Sequence, residues 1–167
     1  EQRHRVAPLL HHAVARGVSV ADGGAAEILA RIARANSQRA LRQKAATLRL
    51  VTLFAAEGIV HAEVKGFRLG DLLYGGETLR HSKDVDVLLD PAQMDAGIAC
   101  VAANGYTATG GAPLDPQRLH AILRWHREVE IHDPRTGVAI ELHSRLLSTA
   151  PAAWDDGKVL HGPRDLT

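Results

Sequence analysis

Residues 84–89, "DVDVLL", constrain this chain more than any other stretch. Two aspartates alternate with apolar residues and three further apolar residues follow, which is the pattern of a strand in a sheet. Residues two apart on a strand share a face, about 7 Å apart along the backbone, so Asp84 and Asp86 are expected side by side. Val85, Val87 and Leu89 then face the core. Two carboxylates on one face of a largely apolar strand repel each other unless a positive group offsets them. Any fold for this chain therefore has to supply that group.

The rest of the composition narrows the setting. The chain has 167 residues, 46% of them hydrophobic, enough for one ordinary globular core. The formal net charge is +1, so no global field marks the chain for nucleic acid or membrane, although a local basic groove is compatible with it. Cys100 is the single cysteine. It sits on an apolar helix face and reads as a structural thiol, and with no cysteine pair a reducing cytoplasm is the expected location. No run approaches the ~18 apolar residues of a membrane span, and no signal peptide is expected. The sequence starts at Glu1, and Asp165 stands where it could cap another helix. Both ends are expected to continue in a longer protein.

Along the chain, residues 4–16 read as a helix closed by Gly17, and Ala25 to Ala56 as a long helix. Its apolar stripe is expected at Leu41, Ala45, Leu48, Val51 and Ala55. Arg31, Arg34, Arg39, Arg42, Lys44 and Arg49 lie on the same stretch, as a solvated face or a phosphate-binding surface. Glu57-Gly58 ends it. "IVHAEV" (59–64) is a strand, Lys65-Gly66 breaks it, and "FRLGDLLYGG" is a short helix and turn. After "DVDVLL", Asp90-Pro91-Ala92-Gln93 has the form of a helix cap, which gives Asp90 a structural role. "YTAT" is a candidate strand and "QRLHAILRW" a helix. "REVEIH" and "VAIELH" form a hairpin through "DPRTG". The fold class is α/β or α+β: a small mixed sheet flanked by helices. The expected organisation is an N-terminal helical segment (1–57) on a core (58–148), with a tail (149–167) that starts a further helical region.

"VAIELH" repeats the polar-in-apolar pattern, with Glu141 and His143 on the face opposite Val138, Ile140 and Leu142. Two aspartates and a glutamate on neighbouring strands can hold two divalent cations, Mg²⁺ or Mn²⁺. Glu130 is a rival third ligand. His143 reads as a hydrogen-bonded packing residue or a substrate contact. Ten histidines without HExxH spacing or a cysteine pair make zinc a poor reading, and the phosphate-loop, dinucleotide and G-x-S-x-G motifs are all absent. Lys65-Gly66 follows a strand and opens a helix, a turn that offers backbone N–H groups and one cation to an anion. Arg80 and Ser82 could contact phosphate oxygens; Arg80 could equally neutralise Asp84.

Taken in order, Gly66, the Asp84/Asp86 pair and Glu141 resemble the polymerase-β-type nucleotidyltransferase superfold. The closer resemblance is to an uncharacterised bacterial nucleotidyltransferase-like group, carried by Gly58-Ile59, Lys65-Gly66, Arg80, "DVDVLL", Gly105-Tyr106 and "IELH". It extends over nearly the whole chain. The family's usual small pair at the turn is Gly66-Phe67 here, with Lys65 as the substitute phosphate contact. The resemblance implies metal-dependent transfer of a nucleoside monophosphate from an NTP to an acceptor hydroxyl. Asp84, Asp86 and Glu141 would hold the metal, and Lys65, Gly66, Ser82 and Arg80 the triphosphate. A small molecule or peptide is the first acceptor class. "RHSKDVD" also resembles the R-x-S-x-D-x-D pattern of toxin-like nucleotidyltransferases acting on RNA. A scaffold that binds nucleotide without turnover is the third reading.

Overall fold

In the computed structural model, residues 6–19, 23–64, 67–76, 78–145 and 160 are described. Lys65, Gly66, the first residues of the expected 4–16 helix and nearly all of the 149–167 tail lie outside them. Among the described residues there are five α-helices and four strands: α1 (Ala7–Ala15), α2 (Gly23–Ala56), β1 (His61–Glu63), α3 (Phe67–Tyr74), β2 (Val85–Leu89), α4 (Met94–Ala103), α5 (Pro116–Trp125), β3 (Glu128–His132) and β4 (Ala139–His143). The chain divides into two compact units: Glu1–Ala45 with Lys65–Lys83, and Ala46–Val64 with Asp84–Thr167.

The second unit holds the sheet, in the order β1-β2-β4-β3. β2 pairs antiparallel with β1 and parallel with β4, and β3 pairs antiparallel with β4. A mixed α+β architecture with a small sheet flanked by helices is what the sequence predicts. Val85, Val87 and Leu89 enter the core as expected, beside Ile140, Leu142, Val129 and Ile131. The expectation of a one-sided strand is corrected: all five residues of β2 are buried. β2 is an interior strand, and Leu88, on the Asp86 face, is fully covered. Asp84 precedes the strand at a bend instead of lying within it.

Two helices stop the same way. Gly58 has φ +68, and the N–H of Ile59 reaches back to Phe54 O at 2.9 Å. Gly105 has φ +78, and the N–H of Tyr106 reaches Val101 O at 3.2 Å. In each, glycine takes the left-handed position and the next apolar residue turns into the core, a Schellman stop. The Gly-Ile and Gly-Tyr signature pairs therefore carry structure rather than chemistry. Asp90 caps the turn ahead of α4 by accepting from Ala92 N at 2.9 Å. Gln93 ties that turn to the entry of β1, accepting from Val60 N at 2.6 Å and donating to Gly58 O.

The expected stripe on α2 is also corrected. Leu41 and Leu48 are 57% and 49% exposed. The buried line is Leu29, Ala33, Asn36, Ala40, Gln43, Ala46, Thr47, Leu50 and Phe54. Three polar residues lie in it, so a count of apolar side chains selects the wrong face. "YTAT" forms isolated bridges at Thr107 rather than a strand. Cys100 is half-buried on α4, and burial pushes its thiol up, which suits a packing residue.

Candidate active site

The sheet register sets the site. Asp86 stands opposite Glu141, and Glu141 opposite Glu130, so one cross-strand row carries three carboxylates. The next row on the same face is Leu88, His143 and Glu128. Asp86 is 1% exposed and His143 6%. His143 Nε2 lies 3.1 Å from Asp86 Oδ1 and 3.4 Å from Glu141 Oε2, while its Nδ1 lies 3.5 Å from Glu128 Oε2. Three carboxylates thus meet one imidazole. One donor atom each from Asp86, Glu141 and His143 falls within 4.8 Å of the others. Two carboxylates and an imidazole converging this closely suit a divalent cation. The oxygens fit Mg²⁺ or Mn²⁺, and the nitrogen favours Mn²⁺ of the two.

Asp84 lies outside that set but acts on it through charge. The Glu141 carboxyl is pushed above the usual carboxylate range, by burial first and then by the negative charges of Asp84, Asp86 and Glu128, with His143 partly opposing. The folded state therefore holds this proton more tightly than the unfolded chain. Its contribution to stability is complete below the ordinary glutamate value and is lost as pH rises through the folded value. In chelator, Glu141→Gln is expected to melt higher than the native protein at pH 7, with a flatter stability profile above pH 5. Mn²⁺ is expected to raise the melting temperature of the native protein and leave Glu141→Gln nearly unmoved. Melts across pH in EDTA and in Mn²⁺ check both.

Glu130, the rival ligand, shares the row but is engaged by other groups. It accepts from Thr109 Oγ1 at 2.7 Å and lies 3.1 Å from His132 Nε2. Glu128 was not singled out from the sequence, although the alternation of "REVEIH" puts it on the same face as Glu130. Arg49, counted among the possible phosphate cations, is committed elsewhere. It makes a bidentate pair with buried Asp133 at 3.0 and 2.7 Å.

In the first unit, Arg80 and Ser82 lie on a segment held by α2. Asn36 Nδ2 donates to Thr78 O at 2.7 Å, and Gln43 Nε2 to Ser82 O at 3.5 Å. Arg39 can only donate, so His81 accepts at Nε2 (3.3 Å) and carries its proton on Nδ1, which donates to Asn36 Oδ1 at 3.0 Å. Arg80 keeps Nη1 buried with no hydrogen-bond partner among the described residues.

A family model described as an uncharacterised nucleotidyltransferase matches residues 2–165. No match was found among curated proteins or among solved structures. With the match running over nearly the whole chain and the carboxylate row in place, this chain belongs to that uncharacterised nucleotidyltransferase family.

Proposed function

We propose that the chain transfers a nucleoside monophosphate from an NTP to a hydroxyl of an acceptor, a small molecule or peptide in the first instance. The observation that carries this is the convergence of Asp86, Glu141 and His143 across the parallel strands β2 and β4. Asp86 and Glu141, with Asp84, would hold Mg²⁺ or Mn²⁺, and His143 fixes the Asp86 carboxylate. When bound, such a cation offsets triphosphate charge and acidifies the attacking hydroxyl. Glu141 is the group to take the hydroxyl proton, because burial first and the surrounding negative charge second raise its proton affinity. The hydroxyl oxygen bonds to the α-phosphorus in line, the bond to the β-phosphate oxygen breaks, and pyrophosphate leaves. Lys65, Gly66, Ser82 and Arg80 are assigned to the triphosphate. A buried guanidinium N–H without an acceptor, as at Arg80, is the kind of donor a phosphate oxygen satisfies.

The test is pyrophosphate release from each of the four NTPs with Mg²⁺ or Mn²⁺, against pools of small-molecule, peptide and RNA acceptors. Release with a labelled acceptor supports transfer. Nucleotide binding with no release on any pool supports the scaffold reading instead.

The α2 ladder gives a second expectation. Asn36→Leu removes a donor and an acceptor at constant size and frees the Thr78–Ser82 segment. It is expected to raise KM for the NTP about tenfold, from lost hydrogen bonds of roughly 1–3 kcal/mol, with kcat changed far less. An unchanged KM would mean that the ladder does not position Arg80 and Ser82.

A further inference from the structure

A cleft of about 450 Å³ opens in the second unit, and none of the row's carboxylates is in its lining. It lies where the parallel strands β2 and β4 end, with Pro91 just past β2 and Ser144 and Arg145 just past β4. The crevice outside the carboxyl ends of parallel strands is the usual place for a ligand in an open sheet. Met94 and Leu123 give it an apolar wall. Trp125, at the end of α5, lines it while 88% exposed, the most exposed of the large apolar side chains among the described residues. Arg127 and Arg145 add two cations, and Ser144 is fixed by its Oγ donating to Arg127 O at 3.1 Å. The nearby acid, Asp95, is engaged by His120. The volume is that of a small-ligand site, and the lining is an apolar wall with few polar groups.

We propose that this cleft binds a nucleotide unit, its base stacked on Trp125 and its phosphate held by Arg127 and Arg145. An exposed indole beside two guanidinium groups offers a face to a planar ring and charge to the group attached to it. Arg145 follows His143 by two residues, about 7 Å along an extended chain. On the transfer reading, which this part of the inference rests on, the cleft is the acceptor subsite and the acceptor is a nucleotide or the end of an RNA strand.

The test separates binding from transfer. In EDTA, fluorescence anisotropy is followed with a mant-labelled mononucleotide and with a short fluorescein-labelled oligoribonucleotide. At least one probe is expected to saturate below millimolar concentration. Trp125→Ala is expected to weaken it roughly tenfold, whereas Trp125→Phe keeps most of the affinity because a ring remains. Arg127→Ala with Arg145→Ala is expected to weaken binding and flatten its dependence on salt. Circular dichroism confirms the fold of each variant. Tighter binding of the oligonucleotide identifies an RNA end as the source, and equal binding identifies a free nucleotide; either supports the site. No saturation of either probe by the native protein, or native affinity in Trp125→Ala, overturns it. Cleft binding without pyrophosphate release would sink the transfer reading and leave the cleft standing. Release without cleft binding would do the reverse.

Discussion

Asp86→Asn is expected to abolish nucleotidyl transfer, by roughly 10³-fold or more in kcat, while the protein stays folded. Asp86 is buried at the centre of the sheet and is the carboxylate that both His143 and the opposing Glu141 approach. The amide keeps the shape and removes the charge. It also relieves the repulsion that lifts the Glu141 carboxyl, so the variant should melt no lower than the native protein in chelator. Loss of activity and retained stability together mark a residue held for chemistry against the interest of the fold. Glu130→Gln is the control. Glu130 is tied to Thr109 and His132, so its loss is expected to change kcat by no more than about twofold. Full activity in Asp86→Asn, or equal losses in the two variants, would remove the carboxylate row from the mechanism.

Asp133→Ala is expected to destabilise the second unit by about 3 kcal/mol. Asp133 is 2% exposed and accepts from both arms of Arg49, from Arg135 N at 3.1 Å, and from Thr136 N and Oγ1 at 2.8 and 2.7 Å. One carboxylate therefore joins α2 to the β3–β4 turn and also builds that turn. The figure sits at the low end for a broken buried pair because the Arg49 side chain is 30% exposed and can rehydrate. Burial pushes the Asp133 carboxyl up, but the bonds from Arg49 and Thr136 and the Arg49 charge outweigh it and hold it below the ordinary range. Its stabilisation is thus complete above the ordinary aspartate value and is lost as pH falls through the folded value. Urea unfolding at pH 7, and again on the acid side, measures both. A loss below about 1 kcal/mol at pH 7 would mean that the pair is a bystander.

The parts of the fold written in local periodicity were readable from the sequence. β2, the β3–β4 hairpin and the Asp90 cap follow from alternation and turn residues within a few positions. Glu141 followed because a carboxylate on a core strand breaks the pattern of its neighbours. What escaped depends on partners far along the chain. The Arg49–Asp133 pair joins residues 84 apart, and nothing local to either marks it. Asn36 and Gln43 look like surface residues until Thr78 and Ser82 are placed against them. Gly97 is invisible as a requirement, yet a Cβ there would meet Leu89 Cδ1 at 2.7 Å, so any larger residue would force the buried Leu89 side chain to shift. Glu128 was passed over because its role depends on the register that sets it opposite His143. Register is a long-range property, and it is also what assembles the site.

The most direct measurement is calorimetric titration of ATP, GTP, CTP and UTP into the protein, with and without Mg²⁺ or Mn²⁺, beside the Asp84→Ala/Asp86→Ala double variant. The expected result is binding of at least one nucleotide that requires the divalent cation and disappears in the double variant. The absence of any cation-dependent binding, or cation-dependent binding that survives loss of both aspartates, would contradict a nucleotidyltransferase site built on this carboxylate row; cation-independent binding shared by both proteins belongs to the Trp125 cleft.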